Sequence, residues 1–158
     1  MGSGLNVDYI NPFIEATINT FQTMCSVDAK RDKIFLKGEG SEVYGVTGII
    51  GLGGEASGSV VLNFPAEVAM SAVGSFVGEA YDNISAEVVD GVGELTNIIA
   101  GDAKNRLGQK GYSFDIGLPK IVVGRNYVTA QSRSLPCIVI SFTSSIGNFT
   151  IEVSLKKG

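Results

Sequence analysis

Histidine is absent from all 158 residues. That removes Ser-His-Asp and Cys-His nucleophilic catalysis together with the commonest zinc ligand. Chemistry is left to carboxylates, amides, hydroxyls, or a metal brought by another molecule. Cysteine is scarce: Cys25 and Cys137 lie far apart, the first on a helical apolar stripe and the second inside a β-type run. Both read as reduced core residues. Basic clusters are also missing. Twelve Lys and Arg stand against 16 Asp and Glu, the formal charge is −4 and the pI is near 4.8. With the cations scattered singly, nothing neutralises a phosphate backbone, and nucleic acid is excluded as a partner. No apolar run approaches the roughly 18 to 20 residues that cross a bilayer, and the start lacks the basic-then-apolar order of a signal peptide. The expectation is a cytoplasmic protein with no membrane partner, in which the sequons at Asn83 and Asn148 are accidents.

What is present is an apolar fraction of 44%, enough for one compact domain with a substantial core. Residues 5–158 are taken as that domain, and Met1 to Gly4 (MGSG) as a cloning remnant or free end. Asn11-Pro12 is expected to open a first helix as N-cap and first helical residue, with Ile14, Ile18, Phe21 and Cys25 as its buried stripe, ending near Cys25 or Ser26. Ile34 to Leu36, Val43 to Leu52 and Ser57 to Phe64 read as β-runs divided by Gly38-Glu39-Gly40 and a tight Gly53-Gly54 turn. Pro65 starts a short helix to about Val77. Ser85 caps a long helix reaching about Gln109, closed by Gly111, with Val88, Val92, Leu95, Ile99, Ala103 and Leu107 buried. Ile121 to Val123, Cys137 to Thr143 and Phe149 to Leu155 complete the strands. An αβββ unit is thus written twice. The economical packing is α+β, a mixed sheet covered by the two long helices, whose exposed end strands invite a homodimer.

Several segments carry no chemistry on this reading. Gly51-Leu52-Gly53-Gly54-Glu55-Ala56 fits a GxGxxA fingerprint, but a strand rather than a helix follows, so it reads as a hairpin. Asp28, Arg31, Asp32 and Lys33 form a solvated mixed-sign loop. Glu15 and Asn19 are surface polar residues or the worn remnant of a duplicated motif.

The long helix is different. Asp90, Glu94, Asn97 and Lys104 share one outward face. Keeping that side wet would not call for Asn97, because a short amide competes with the backbone in a helix interior. Gly93 and Gly101 lie beside the face, each lowering helix stability by about 1 kcal/mol relative to alanine. A docking face for another protein accounts for both.

The string Asp90-x3-Glu94-x2-Asn97-x21-Pro119, containing Asn97-Ile98-x2-Gly101-x-Ala103, resembles the signature of the CheC/CheX/FliY family of chemotaxis phosphatases. The opening Asn11-Pro12-Phe13-Ile14-Glu15-Ala16-Thr17 is similar to the CheX branch, and the single Glu-x2-Asn copy favours that branch over CheC, which usually carries two. The resemblance implies a CheC-like duplicated fold and a phosphatase acting on the aspartyl phosphate of CheY-type response regulators. It implies no cofactor of its own, with Mg²⁺ on the phosphorylated partner. Glu94 and Asn97 become the catalytic pair, Glu94 docking a regulator lysine and Asn97 orienting water; Asp90, Gly93, Gly101 and Pro119 support the surface or dock the partner. The alternative is a non-catalytic interaction domain of a signalling or flagellar motor-switch complex using the same face. An independent small-molecule hydrolase is a third reading, weakened by the lack of paired carboxylates.

Overall fold

The computed structural model describes residues 7–37, 41–43, 45–124, 126–128 and 137–157. Helix α1 (Val7–Cys25) precedes strands β1 (Ala29–Lys37), β2 (Ser41–Val43), β3 (Val46–Gly53) and β4 (Ala56–Phe64). Helices α2 (Ala66–Val77) and α3 (Ala86–Gly108) follow, then β5 (Asp115–Ile116), β6 (Lys120–Val123), β7 (Asn126–Val128), β8 (Cys137–Ser144) and β9 (Phe149–Lys157). The main sheet runs β1-β8-β9-β4-β3, with β5 and β6 both on the outer edge of β3. Strands β2 and β7 pair separately.

The doubled αβββ plan is visible in this order. Central β4 and β9 come one from each unit, and each pairs with its own hairpin partner, β3 or β8. The first strand of each unit crosses over: β1 pairs with β8, and β6 with β3. The sheet anticipated as mixed is antiparallel in every described ladder.

One sheet face and the three helices enclose the core. Phe149 of β9 stacks on Phe21 of α1 at 4.5 Å and on Phe142 of β8 at 5.2 Å, joining helix to sheet. Both long helices and α2 fall where the apolar periodicity placed them, with three differences in detail. First, α1 begins five residues before Pro12, which sits inside it. Tyr9 and Ile10 are buried, the Tyr9 ring edge-on to Tyr112, and this packing outweighs the one hydrogen bond a proline removes. Second, Arg31, Asp32 and Lys33 are not a loop but part of β1, whose backbone is templated by β8 across a register shift between Arg31 and Ile34. Charge on an outermost strand is compatible with pairing on one side. Third, the run Val43 to Leu52 is divided at Gly45, where a side chain would strike the Phe64 carbonyl and the Ala66 nitrogen. The short β5 and β7 were not anticipated, and the Gly38-Glu39-Gly40 turn lies outside the described residues.

Candidate active site

The depth and rotation of α3 are set by its buried side. The Ser85 hydroxyl accepts from the Val88 amide at 3.3 Å, and Val88, Val92, Leu95, Ile99, Ala103 and Leu107 are fully buried. Thr96 is buried with them; its hydroxyl donates to the Val92 carbonyl at 2.7 Å. The Thr96 side chain fills the space that Gly48 of β3 leaves empty, so helix and strand approach closely. With Thr96 turned inward, the next residue, Asn97, emerges at the surface. Glu94 and Asp90 are exposed and Asn97 is half-buried. Gly101 continues the strip with open space around it, since nothing lies within 4 Å of where its Cβ would be. No described residue forms a side-chain hydrogen bond or ion pair with Asp90, Glu94 or Asn97. Lys104, expected on the same face, is turned to Asp115 at 3.8 Å.

Pro119 reaches this helix from the β3 edge of the sheet, between β5 and β6. After α3 the Tyr112 amide bonds the Leu107 carbonyl at 3.1 Å, β5 pairs with the end of β3, and the Gly117 amide donates to the Gly51 carbonyl at 2.9 Å. Pro119 then lies against Gly93, where a Cβ would stand 3.7 Å from its Cγ and 3.6 Å from Ile121 Cδ1. The long fixed spacing in the motif is therefore the path from the helix around β5 and back. Gly93 is buried beneath this return and does not lie open to a partner. The six residues singled out divide accordingly: Asp90, Glu94, Asn97 and Gly101 form one accessible strip, and Gly93 with Pro119 makes the contact that borders it.

Helix α1 repeats the arrangement and then departs from it. Residues 11–18 show the same succession of exposed and buried positions as residues 90–97. Thr17 donates to the Phe13 carbonyl at 2.8 Å as Thr96 does to Val92. In that register Asn11 answers to Asp90, Glu15 to Glu94, and Ile18 to Asn97. Comparing asparagine with asparagine hides this correspondence; the shared Glu-x-Thr of Glu15-Ala16-Thr17 and Glu94-Leu95-Thr96 is the signal that shows it. Two polar groups of α1, Glu15 and Asn19, are tied to α3. Asn19 Nδ2 donates to Asp102 Oδ2 at 3.2 Å, and Arg106 bridges Asp102 (3.0 Å) and Glu15 (3.4 Å).

Neither cysteine offers a nucleophile. Burial pushes the thiols of Cys25 and Cys137 up to about 11, so both are protonated near neutrality. Among the described residues no group of three or more Cys, Asp or Glu side chains is arranged to hold a metal ion.

A sequence profile described as chemotaxis phosphatase CheX matches residues 46–143, more than half of the chain and all of α3. The chain belongs to the CheX family. A CheY-P phosphatase CheX from Thermotoga maritima is 25% identical over 150 residues, covering 94% of this chain and 96% of that protein. A CheC-like superfamily protein from Shewanella sp. PV-4 has a TM-score of 0.87 and 35% identity over 96% of this chain and 99% of its own. A chain of the CheX-CheY-BeF3-Mg²⁺ complex from Borrelia burgdorferi gives 0.78 and 26%, with 96% and 99% covered. The CheX fold thus extends over nearly the whole molecule, including α1 and β1, which precede the stretch that the profile matches.

Proposed function

We propose that this protein is a cytoplasmic phosphatase that hydrolyses the aspartyl phosphate of a CheY-type response regulator and so ends a chemotactic signal. The observation that carries the reading is the Glu94 and Asn97 pair on the open strip of α3, which has no side-chain partner among the described residues. Membership of the CheX family supports it, as does the CheX-CheY-BeF3-Mg²⁺ assembly formed by a relative.

Asn97 cannot act as a general base at neutral pH, because an amide does not take up a proton there. It can accept a hydrogen bond through Oδ1 and donate one through Nδ2. Its role is to hold a water in line with phosphorus. The water oxygen attacks, the bond between phosphorus and the aspartyl oxygen breaks, the carboxylate leaves with the electron pair, and the water's protons stay on the released phosphate. An acyl phosphate is already activated, and the Mg²⁺ and cationic side chain belonging to the regulator stabilise the transferring phosphoryl oxygens. The lack of histidine is therefore no obstacle. Glu94, exposed one turn away, pairs with a regulator lysine and fixes where Asn97 enters.

Phosphate release from a phosphorylated CheY-type regulator tests the assignment. Asn97→Ala is expected to lower turnover roughly 100-fold or more while largely sparing complex formation. Glu94→Ala is expected to weaken binding and turnover together. Wild-type turnover by the Asn97 variant would remove the mechanism, and binding without any accelerated loss of phosphate would favour a docking domain.

The homodimer expected from open sheet edges belongs to the same proposal. The outermost strand β1 exposes Phe35 and Leu36, at 47% and 55%, as a surface for a second copy. A monomer in sedimentation at micromolar concentration would dismiss it.

A further inference from the structure

We infer that Leu118 is the apolar anchor with which the α3 strip grips its response regulator; this rests on the function proposed above. Leu118 is 91% exposed, whereas the other exposed large apolar residues among those described, Met24, Phe35, Leu36, Val77 and Val123, lie between 36% and 55%. An almost fully hydrated leucine contributes nothing to its own core, and covering it is favourable for whatever covers it.

Its place ties it to the site. Pro119, the next residue, packs on Gly93, and Gly93 lies one helical turn before Asn97 and adjacent in sequence to Glu94. Leu118 therefore stands at the border of the strip formed by Asp90, Glu94, Asn97 and Gly101. Val123, half exposed, shares a strand face with Ile121, which also touches the Gly93 position, and extends the apolar border along β6.

The backbone that carries Leu118 is also held ready. On one side the Gly117 amide is bonded to the Gly51 carbonyl at 2.9 Å, and on the other Pro119 is seated against the helix. The backbone on both sides is fixed, so little backbone entropy is lost when a partner closes over Leu118, and only the side-chain rotamers remain to be ordered. The strip itself offers Asp90, Glu94 and Asn97, groups that select and orient but gain little net free energy when exchanged from water. A desolvated apolar contact beside them supplies affinity that the polar groups do not. Continuity with the Glu94 and Asn97 surface identifies the occupant: the face of the regulator around its phosphorylated aspartate, which must present apolar surface to Leu118.

The test compares Leu118→Ala, Leu118→Asp and Leu118→Met with Asn97→Ala, using the CheY-type regulator that the wild type dephosphorylates. Leu118→Ala is expected to raise KM roughly tenfold with kcat and Tm unchanged. The aspartate variant should raise KM further, and methionine should restore wild-type values. A wild-type KM for Leu118→Ala beside an inactive Asn97→Ala overturns the anchor and leaves the mechanism standing. Full activity of Asn97→Ala instead removes the functional reading on which the anchor rests. Loss of self-association by the Leu118 variants with KM unchanged would show that a second copy of this chain covers the residue, which also overturns the inference.

Discussion

Helices α1 and α3 occupy equivalent places in two copies of one plan, yet only α3 presents a usable polar strip. Both bury a threonine whose hydroxyl is spent on the carbonyl four residues earlier, both expose a glutamate two positions before it, and both bring the residue after it to the half-buried border. At that border α3 has Asn97 and α1 has Ile18, which packs against the core. The neighbouring glutamates differ in employment as well. Glu94 has no described partner, while Glu15 is engaged by Arg106 of α3. The fold therefore offers the same presentation twice, and under the function proposed above the difference between Asn97 and Ile18 separates a strip for chemistry from one for cohesion.

The sharpest way to break this comparison is to treat the two asparagines alike. Against the roughly 100-fold loss expected for Asn97→Ala, Asn19→Ala should leave phosphate release unchanged. Comparable damage from both variants would mean that α1 retains a site of its own. Gly101→Ala gives a smaller effect with two readouts. Open space around Gly101 admits a methyl group, so chemical denaturation should show a gain of up to about 1 kcal/mol. If the strip must stay low for a partner, the same variant should raise KM for the regulator; a more stable protein with unchanged KM would restrict the docking surface to the stretch from Asp90 to Asn97. Arg106→Ala should have the smallest effect. It removes partly exposed contacts to Asp102 and Glu15, a loss under about 1 kcal/mol, and kinetics should be unaltered. A drop in turnover there would show that the clasp between helices positions the active strip.

Much of α3 could be read in advance because its evidence is local. Ser85, the apolar stripe and the outward direction of Glu94 all follow from a period of 3.6 residues and one capping hydroxyl. Sheet order is different. That β1 and β6 cross to the opposite unit depends on pairings between distant segments, for which no short stretch of sequence holds a signal. Pro12 misled because a sound local rule was outweighed by the burial of Tyr9 and Ile10. The charges at 31–33 misled because an outermost strand tolerates residues that would exclude it from the centre. Within the site, Pro119 could be placed in the motif but its contact with Gly93 could not, since β5 had to be built before the return path existed. In α1 the position equivalent to Asn97 holds Ile18, and Asn19, one residue further on, imitates the motif at the wrong spacing.

The exchange of first strands has a consequence for how the molecule must assemble. Each half closes its hairpin against a strand lent by the other, β8 against β1 and β3 against β6, so neither half is a complete sheet in isolation. The arrangement is that of two swapped protomers fused into one chain. Completion is mutual and the pairings span long stretches of sequence, so the expected folding is slow, with neither sheet half forming ahead of the other.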